Sequence, residues 1–129
     1  MTINEFQTRD KFAVWLGIQL LEAANGHARS KLKIKPEHLN GVDILHGGVV
    51  FSLADFTMAA AANSHGNMAV GINSSMLFVK AIQQGTIYAE ATQTSIRAKL
   101  ATYTIHVTDE QGELIAALQG MVYRKKEMY

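Results

Sequence analysis

Residues 47 to about 63 constrain the fold most, because their composition is helical and apolar side chains lie on every side of that helix. The segment is rich in Ala, Leu and Met and contains no proline, which favours a helix. Gly47-Gly48 opens it, and Asn63 and Gly66 close it, as residues that tolerate turn conformations commonly do. A helix that is apolar all round is buried on every side. We therefore expect the rest of the chain to enclose this helix.

The chain after this helix predicts strands. Four runs rich in β-branched and aromatic residues cover 69–80, 86–96, 101–108 and 113–124, and DEQG at 109–112 favours a hairpin turn. A long helix and a continuous antiparallel sheet in so small a chain indicate an α+β layer. The predicted fold is an antiparallel sheet that curls around one long central helix and keeps solvent away from it.

The chain before the helix predicts a hairpin and a shorter helix. Asn25-Gly26, a dipeptide that tolerates positive φ in tight turns, joins two short runs. In the second run, 27–34, small or apolar residues alternate with charged ones, which predicts a strand with one solvated face. Pro36 ends that strand, because proline offers no amide hydrogen to a neighbouring strand. Residues 4–15 predict a weakly amphipathic helix that lies on the sheet.

Length and composition predict one domain, spanning residues 1–129. The hydrophobic fraction is 48%, an excess that a buried oligomer interface would absorb, and the net charge of +1 gives no field that favours nucleic acid or an acidic membrane. The absence of cysteine excludes disulfides, thiolate zinc sites and a cysteine nucleophile. We find no signal peptide and no run of about 18 apolar residues, which favours a cytoplasmic protein without a membrane partner.

His46 and Asp55 stand out in this apolar segment, since burying a carboxylate without a partner is costly. Nine positions on a helix correspond to roughly 900° of rotation and about 13 Å of rise, so the two side chains lie on opposite sides. They cannot share a site within one chain. A two-fold partner would bring Asp55 of one subunit to the helix start of the other and create two equivalent sites. The spacing therefore predicts a homodimer with composite sites.

The start of the helix and Asp55 together suggest acyl transfer to water. The amides of Gly47 and Gly48 have no partners within the helix, and the helix dipole adds positive potential, which suits a carbonyl that develops negative charge. Asp55 in a low dielectric should have a raised pKa and can serve as general base or nucleophile. Two structural alternatives stay open: a carboxylate held by an amide or hydroxyl, and glycines that only allow close helix packing.

Asn40, His46-Gly47-Gly48 and Asp55 follow one another with a spacing that resembles hotdog-fold thioesterases of the phenylacetate-degradation (PaaI-type) group. The likeness extends over nearly the whole chain. It implies the hotdog fold and a catalytic Asp55 that is contributed across a dimer interface. It also implies that the Gly47 amide polarises the thioester carbonyl, while Asn40 and His46 support substrate and water.

The resemblance implies further substrate contacts. Asn73 falls where some relatives carry a Ser or Thr that positions the water, and its amide can still form hydrogen bonds. Gly48 lies beside the predicted carbonyl site. Arg97 and Lys99 are solvated charges on the simplest interpretation, and on the alternative one they hold the phosphates of coenzyme A.

Three departures from the family pattern concern substrate binding more than chemistry. Asp43 stands where many relatives have glycine in the loop before His46. The segment FVKAI at 78–82 lacks the usual proline, and Ala98 replaces a common glycine. The last two regions lie where the family tends to meet the pantetheine and nucleotide of coenzyme A.

The sequence therefore predicts an acyl-CoA thioesterase that hydrolyses an aryl- or short- to medium-chain acyl-CoA. Coenzyme A is part of the substrate, and no metal or redox cofactor is expected. The other histidines, predicted to lie at the surface or in loops without metal-ligand spacing, are His27, His38, His65 and His106. The resemblance implies a dimer of dimers. Two alternatives remain: an acyl-CoA binding module without turnover, and an enoyl-thioester hydratase or dehydratase.

Overall fold

The computed structural model describes residues 2–128, which form three α-helices, a 3-10 turn and six strands. The helices are α1 (Ile3–Arg9), α2 (Lys11–Leu16) and α3 (Gly47–Asn63), and the 3-10 turn is Pro36–His38. The strands are β1 (Gln19–Ala24), β2 (His27–Lys33), β3 (Asn67–Phe78), β4 (Thr86–Ile96), β5 (Leu100–Thr108) and β6 (Leu114–Met128). None of the helices in this described part is long and apolar enough to cross a membrane.

The strands form one antiparallel sheet in the order β1-β2-β4-β5-β6-β3. The long helix α3 contacts all six strands, so the sheet must bend around it. β3 follows α3 in sequence and lies at the far edge, where it pairs with β6 alone. This topology confirms the predicted α+β architecture and leaves β3 as an open edge beside α3.

One face of α3 is packed against the sheet. Leu53 and Ala54 are fully buried there, and Thr57 hydrogen-bonds to Ser30 of β2, which satisfies two buried hydroxyls. Met58 reaches β6, where only a glycine leaves room for it, because a Cβ at Gly120 would overlap the Met58 sulfur. This face is closely packed and has no space for a ligand.

The predicted turns are confirmed by the backbone conformation. Asn25 and Gly26 have φ values of 52° and 80°, as a tight two-residue hairpin requires. Gly112, with φ of 80°, closes the turn between β5 and β6, and the Asp109 amide donates to the Glu113 carbonyl. The limits predicted for α3 and β4 agree with the structure, whereas β3 and β6 begin or end a few residues away from their predicted limits.

The single helix predicted over 4–15 is wrong. Asp10 has extended backbone, ends α1 and begins α2, because its carboxylate accepts from the Ala13 amide at 2.9 Å as a helix N-cap. Only Ala13 and Leu16 of α2 are buried. Phe12 and Trp15 instead face outward, whereas Phe6 packs against the core and α1 contacts β1, so only part of the predicted apolar face lies on the sheet.

In a single subunit, the expectation that no solvent reaches α3 is also wrong. Gly48 and Asp55 are exposed, and Ser52 and Ala59 are only half-buried. These four residues follow helical spacing, so they form a continuous open stripe, Gly48–Ser52–Asp55–Ala59. The sheet covers the opposite side of α3, and nothing within residues 2–128 covers this stripe.

Candidate active site

The loop before α3 is built around Asn40. Its side-chain oxygen accepts from the amides of Val42 at 3.0 Å and Ile44 at 3.2 Å, and its own backbone amide donates to the Ile44 carbonyl at 2.8 Å. Asp43 in this loop has φ of 61°. Glycine adopts this conformation without a steric penalty, and aspartate is one of the residues that tolerate it, so Asp43 is compatible with the loop.

His46 is the N-cap of α3. Its Nδ1 accepts from the Gly48 amide at 2.8 Å, so a neutral ring carries its proton on Nε2. The His46 amide donates to the His38 carbonyl at 2.9 Å, which fixes the entry of the chain into the helix. The geometry gives His46 an orienting position at the helix start.

Gly47 provides the amide that remains available at this helix end. The Gly48 amide is occupied by His46, whereas the Gly47 amide donates to no acceptor in residues 2–128. A Cβ at Gly47 would lie 3.3 Å from the ring of Phe78 at the end of β3, so glycine allows this close approach. Of the two predicted amides, Gly47 is therefore the one placed to bind an anion or a polarised carbonyl.

Asp55 lies on the open stripe about two turns further along α3. Its carboxylate faces β3, where a Cβ on Gly71 would be 3.7 Å from Oδ1. It accepts no hydrogen bond within the described residues. The alternative of a carboxylate held in place by an amide or hydroxyl therefore has no support in one chain. Although the side chain is accessible, the surrounding protein replaces enough water that burial raises the pKa of Asp55, and the charge of Asp10 raises it further.

Gly71 is a residue of this site that sequence reasoning missed. A glycine inside a predicted strand can mark a close backbone approach, and that was its only sequence signal. In the structure it is the β3 residue opposite Asp55, so no β3 side chain covers the Oδ1 atom at this position. The carboxylate therefore faces backbone and open space.

The structure does not bring Asn73 to Asp55. An irregularity in the β3–β6 register between Gly71 and Asn73 places Asn73 opposite Met121, whose neighbours Gly120 and Val122 face the core. Asn73 therefore lies on the outer face of the sheet, away from α3. Within one chain Asn73 does not contact Asp55, so this structure does not support the predicted role of Asn73 in positioning water.

Arg97 and Lys99 lie in the exposed turn between β4 and β5, beside the start of β3 rather than its end. Their carbonyl oxygens accept from the guanidinium and the amide of Arg124, respectively. Their own side chains form no ion pair within residues 2–128. Both cations are thus distant from the start of α3, at the opposite end of β3.

Two cavities flank the start of α3. The first, which we call the α2 cavity, measures about 440 Å³, and the second, the β3 cavity, about 340 Å³. The α2 cavity is lined by Phe12, Trp15, Leu16, Lys35, Glu37, His38, Leu39, His46, Gly48, Val49 and Ser52. The β3 cavity is lined by Asn40, Ile44, Leu45, Gly47, Val50, Phe78, Val79, Lys80, Ala81, Ile82 and Ile115.

The FVKAI segment forms the outer wall of the β3 cavity and is anchored by Lys80. Its ammonium group donates to Asp109 at 2.9 Å and to Glu113 at 2.6 Å. The hydrogen bond from Lys80 holds the pKa of Asp109 below its usual range, and the hydrogen bond that Lys80 donates to Glu113 raises the pKa of Lys80. These ion pairs hold the FVKAI segment against the turn between β5 and β6.

The remaining histidines have structural partners or lie outside this region. His38, expected at the surface or in a loop, is buried: Nδ1 accepts from the Lys35 amide and Nε2 donates to the Leu16 carbonyl, each at 3.0 Å. His27 pairs with Glu90, and His65 with Gln93. Across residues 2–128, no group of three His, Asp or Glu side chains could hold a metal ion.

Comparison with known proteins places this geometry in a family. The Thioesterase superfamily model matches residues 43–116. A protein of Archaeoglobus fulgidus named "Putative esterase" is 40% identical over 92% of this chain and 77% of its own length. The acyl-coenzyme A thioesterase PaaI of Escherichia coli is 30% identical over 89% of this chain and 83% of its own length.

Solved structures agree with this assignment. A point mutant of the phenylacetic acid degradation protein PaaI from Thermus thermophilus superimposes with a TM-score of 0.86. It is 31% identical and covers 90% of this chain and all of that one. This similarity confirms the predicted hotdog fold.

Proposed function

Because this chain belongs to the thioesterase superfamily and has its hotdog fold, we propose that it hydrolyses acyl-CoA thioesters to a free acid and coenzyme A. The observation that carries this proposal is the pair of unpartnered groups on α3. The Gly47 amide has no acceptor and the Asp55 carboxylate has no donor within the described residues. The proposed substrates are aryl- or short- to medium-chain acyl-CoAs, and the name of the relative PaaI supports the acyl-coenzyme A part of this proposal.

The proposed chemistry uses these two groups and water. The Gly47 amide, with the helix dipole behind it, stabilises the negative charge that grows on the carbonyl oxygen as the carbon is attacked. Asp55 removes a proton from the attacking water, or attacks the carbon itself to form an anhydride that water then cleaves. In either route the carbon–sulfur bond breaks and the thiolate of coenzyme A leaves. No metal or redox cofactor enters this scheme.

We propose that a second copy of the chain completes the site. Asp55 and Gly47 lie about 12 Å apart along one helix, too far to act on one carbonyl. A long, exposed edge strand readily pairs with another chain, and β3 is such an edge. Apolar side chains are exposed along β3 and just after it: Val70, Ile72, Leu77, Phe78 and Val79.

Two-fold pairing through β3 would face the open stripes of two α3 helices toward each other. If the helices run antiparallel, the partner subunit's Asp55 meets Gly47 at each of two sites. Pairing of two such dimers into a tetramer is the further assembly proposed. Mixed dimers test the shared site: one subunit with Asp55→Asn and one with His46→Ala should retain one intact site, whereas each variant alone should not. Inactive verified heterodimers would contradict this arrangement.

Arg97 and Lys99 are the proposed contacts for the phosphates of coenzyme A, because their cations form no ion pair in the described chain. They lie at the opposite end of β3 from Gly47, so the proposed contact is with coenzyme A bound at the partner subunit's helix start, which two-fold pairing through β3 would bring to them. Asn40 and His46 are proposed to support substrate through the loop and helix start that they hold. Gly48 has its amide occupied, so it is proposed to contact substrate through its Cα at the α2 cavity. A cytoplasmic location stays a prediction.

Free-thiol release from a panel of acyl-CoAs tests the proposed function directly. We expect Asp55→Asn to lower kcat by about 10² or more, since the general base or nucleophile is lost. Glu22→Gln removes an exposed carboxylate on β1 and serves as the matched control. Equal rates for native protein and Asp55→Asn would contradict the catalytic assignment. Binding of thioesters without thiol release would instead indicate a binding module, and reversible water addition to an enoyl thioester a hydratase.

Isotope labelling distinguishes the two routes. In a single turnover in oxygen-18 water, label enters the protein if an anhydride forms and water attacks its Asp55 carboxyl carbon, whereas a general base gains no label, so label in Asp55 indicates the anhydride route. Mass analysis of the peptide that contains Asp55 provides the measurement.

A further inference from the structure

The two aromatic side chains of α2, Phe12 and Trp15, are exposed to solvent. Phe12 is 57% exposed and Trp15 is 76% exposed. Their rings stack on each other with centroids 6.0 Å apart and planes inclined by 27°. Together they present a broad apolar wall to the α2 cavity. So much exposed aromatic surface is unusual for a residue pair without a binding role.

This wall is held in place at both ends of α2. Asp10 caps the first turn, and Gly17 ends the helix with φ of 92° and an amide that donates to the carbonyls of Ala13 and Val14. The buried ring of His38 bonds to the Leu16 carbonyl, one residue after Trp15. The two rings therefore stand on a fixed backbone, as a selective binding surface requires.

The wall faces the start of α3 across the cavity. His46, Gly48 and Ser52 line the opposite side, and the Gly47 amide lies at the boundary with the β3 cavity. A thioester whose carbonyl binds Gly47 would thus extend one arm into each cavity. About 440 Å³ lies within the range of small-molecule pockets.

We propose that Phe12 and Trp15 form the wall that selects the acyl group, and that they favour a planar aromatic acyl group by stacking. This inference rests on the proposed function. The acyl group is attached directly to the reacting carbonyl and can therefore reach a wall beside Gly47. The adenine of coenzyme A cannot, because the long pantetheine arm separates it from that carbonyl. Flat rings gain additional stabilisation against aromatic side chains, beyond that of buried area alone. The pantetheine arm then follows the β3 cavity past Phe78.

Trp15 is the chain's only tryptophan, so its fluorescence reports directly on this wall. Asp55→Asn, loaded with phenylacetyl-CoA, keeps the thioester intact during the measurement. We expect quenching or a spectral shift with phenylacetyl-CoA that acetyl-CoA and free coenzyme A do not produce. Equal spectra for all three ligands, with binding verified by calorimetry, would overturn the proposal. This readout needs no turnover, so it remains informative even if the native protein proves inactive.

Steady-state kinetics provide the second test. We expect Trp15→Ala and Phe12→Ala to lower kcat/KM for phenylacetyl-CoA about tenfold, mainly through KM, with less than about threefold change for acetyl-CoA. Octanoyl-CoA, which has the same number of acyl carbons but no ring, should lose less than phenylacetyl-CoA. Val14→Ala is the matched control, since Val14 is exposed on the same helix and does not line the cavity.

Three outcomes of these kinetics would overturn the inference. Equal losses for all substrates would indicate a structural role, and altered assembly of Trp15→Ala in light scattering would place the wall in a subunit interface. Loss of aryl preference in Phe78→Ala, but not in Trp15→Ala, would move the acyl group to the β3 cavity. The proposed function fails separately, if native protein and Asp55→Asn hydrolyse every thioester equally.

Discussion

The two faces of α3 differ in what completes them. The face against the sheet is closed by the chain itself, and its buried hydroxyls, those of Thr57 and Ser30, hydrogen-bond to each other. The open stripe carries Asp55, which has no hydrogen-bond partner within residues 2–128. Packing within the chain therefore explains the residues of the closed face. The residues of the open stripe need substrate, water or a second subunit as contact partners.

Adjacent substitutions on α3 give the largest expected contrast between these faces. Leu53→Ala removes a fully buried side chain, and we expect the free energy of unfolding to fall by about 2–5 kcal/mol. Ser52→Ala removes only a hydroxyl that bonds to the Gly48 carbonyl, so the change should stay within about 0.5 kcal/mol. Chemical denaturation measures both. Similar losses for the two variants would abolish the distinction between the faces.

Two glycines that contact Met58 give a smaller effect. A methyl group at Gly120 would collide with the Met58 sulfur, so Gly120→Ala should cost about 1–3 kcal/mol of unfolding free energy. At Gly71 the nearest atoms, Met58 Cε and Asp55 Oδ1, lie at 3.4 and 3.7 Å. Gly71→Ala should leave stability nearly unchanged and alter kcat through Asp55. Thermal melts and thiol release separate these outcomes, and an equal loss of stability would contradict the open space assigned beside Asp55.

Asn40 tests whether the loop before α3 serves stability, chemistry or both. Asn40→Ala leaves two backbone amides without their acceptor, so we expect a loss of about 1–2 kcal/mol in unfolding free energy. Asn40→Asp keeps the accepting oxygen and removes the amide donor. It should therefore retain stability while lowering kcat/KM, if the donor contacts substrate. Full activity in the folded Asp variant would assign Asn40 to the loop alone.

The smallest expected effect is a pH shift. The folded-state pKa of Asp55 is raised, chiefly by burial and then by Asp10, so activity that needs the carboxylate should rise with pH through that raised value. Asp10→Asn removes the repulsion, keeps an N-cap oxygen for α2 and should move this acid limb to lower pH. A pH profile of kcat/KM provides the measurement. An unmoved limb would show that burial alone controls Asp55.

The same raised pKa has a consequence for stability. Folded protein holds the Asp55 proton more tightly than unfolded protein does, so this group stabilises the fold below its ordinary pKa. That contribution is lost as pH rises through the raised, folded-state value. The difference in unfolding free energy between native protein and Asp55→Asn, measured by denaturation over this window, should therefore change in the direction that disfavours native protein as pH rises.

The limits of α3, the turn residues and the order of Asn40, His46, Gly47 and Asp55 could be predicted from the sequence. They depend on local conformation: glycine and asparagine at positive φ, and a long apolar helix without proline. Asp10 is a residue type that favours the N-cap position, but the apolar periodicity of residues 4–15 predicted one continuous helix instead of two helices divided at Asp10. The sequence also carried too few cues to show which face of α3 would remain open.

The sequence by itself determined the chemical groups and the elements that carry them. Tertiary structure alone decided which groups meet, because side-chain direction in a strand depends on register. One irregularity between Gly71 and Asn73 turns Asn73 to the outer face and leaves Gly71 opposite Asp55. Likewise, only the packing of α2 against the Pro36–His38 turn directs Trp15 toward the start of α3. These relationships join residues distant in sequence, and no local pattern encodes them.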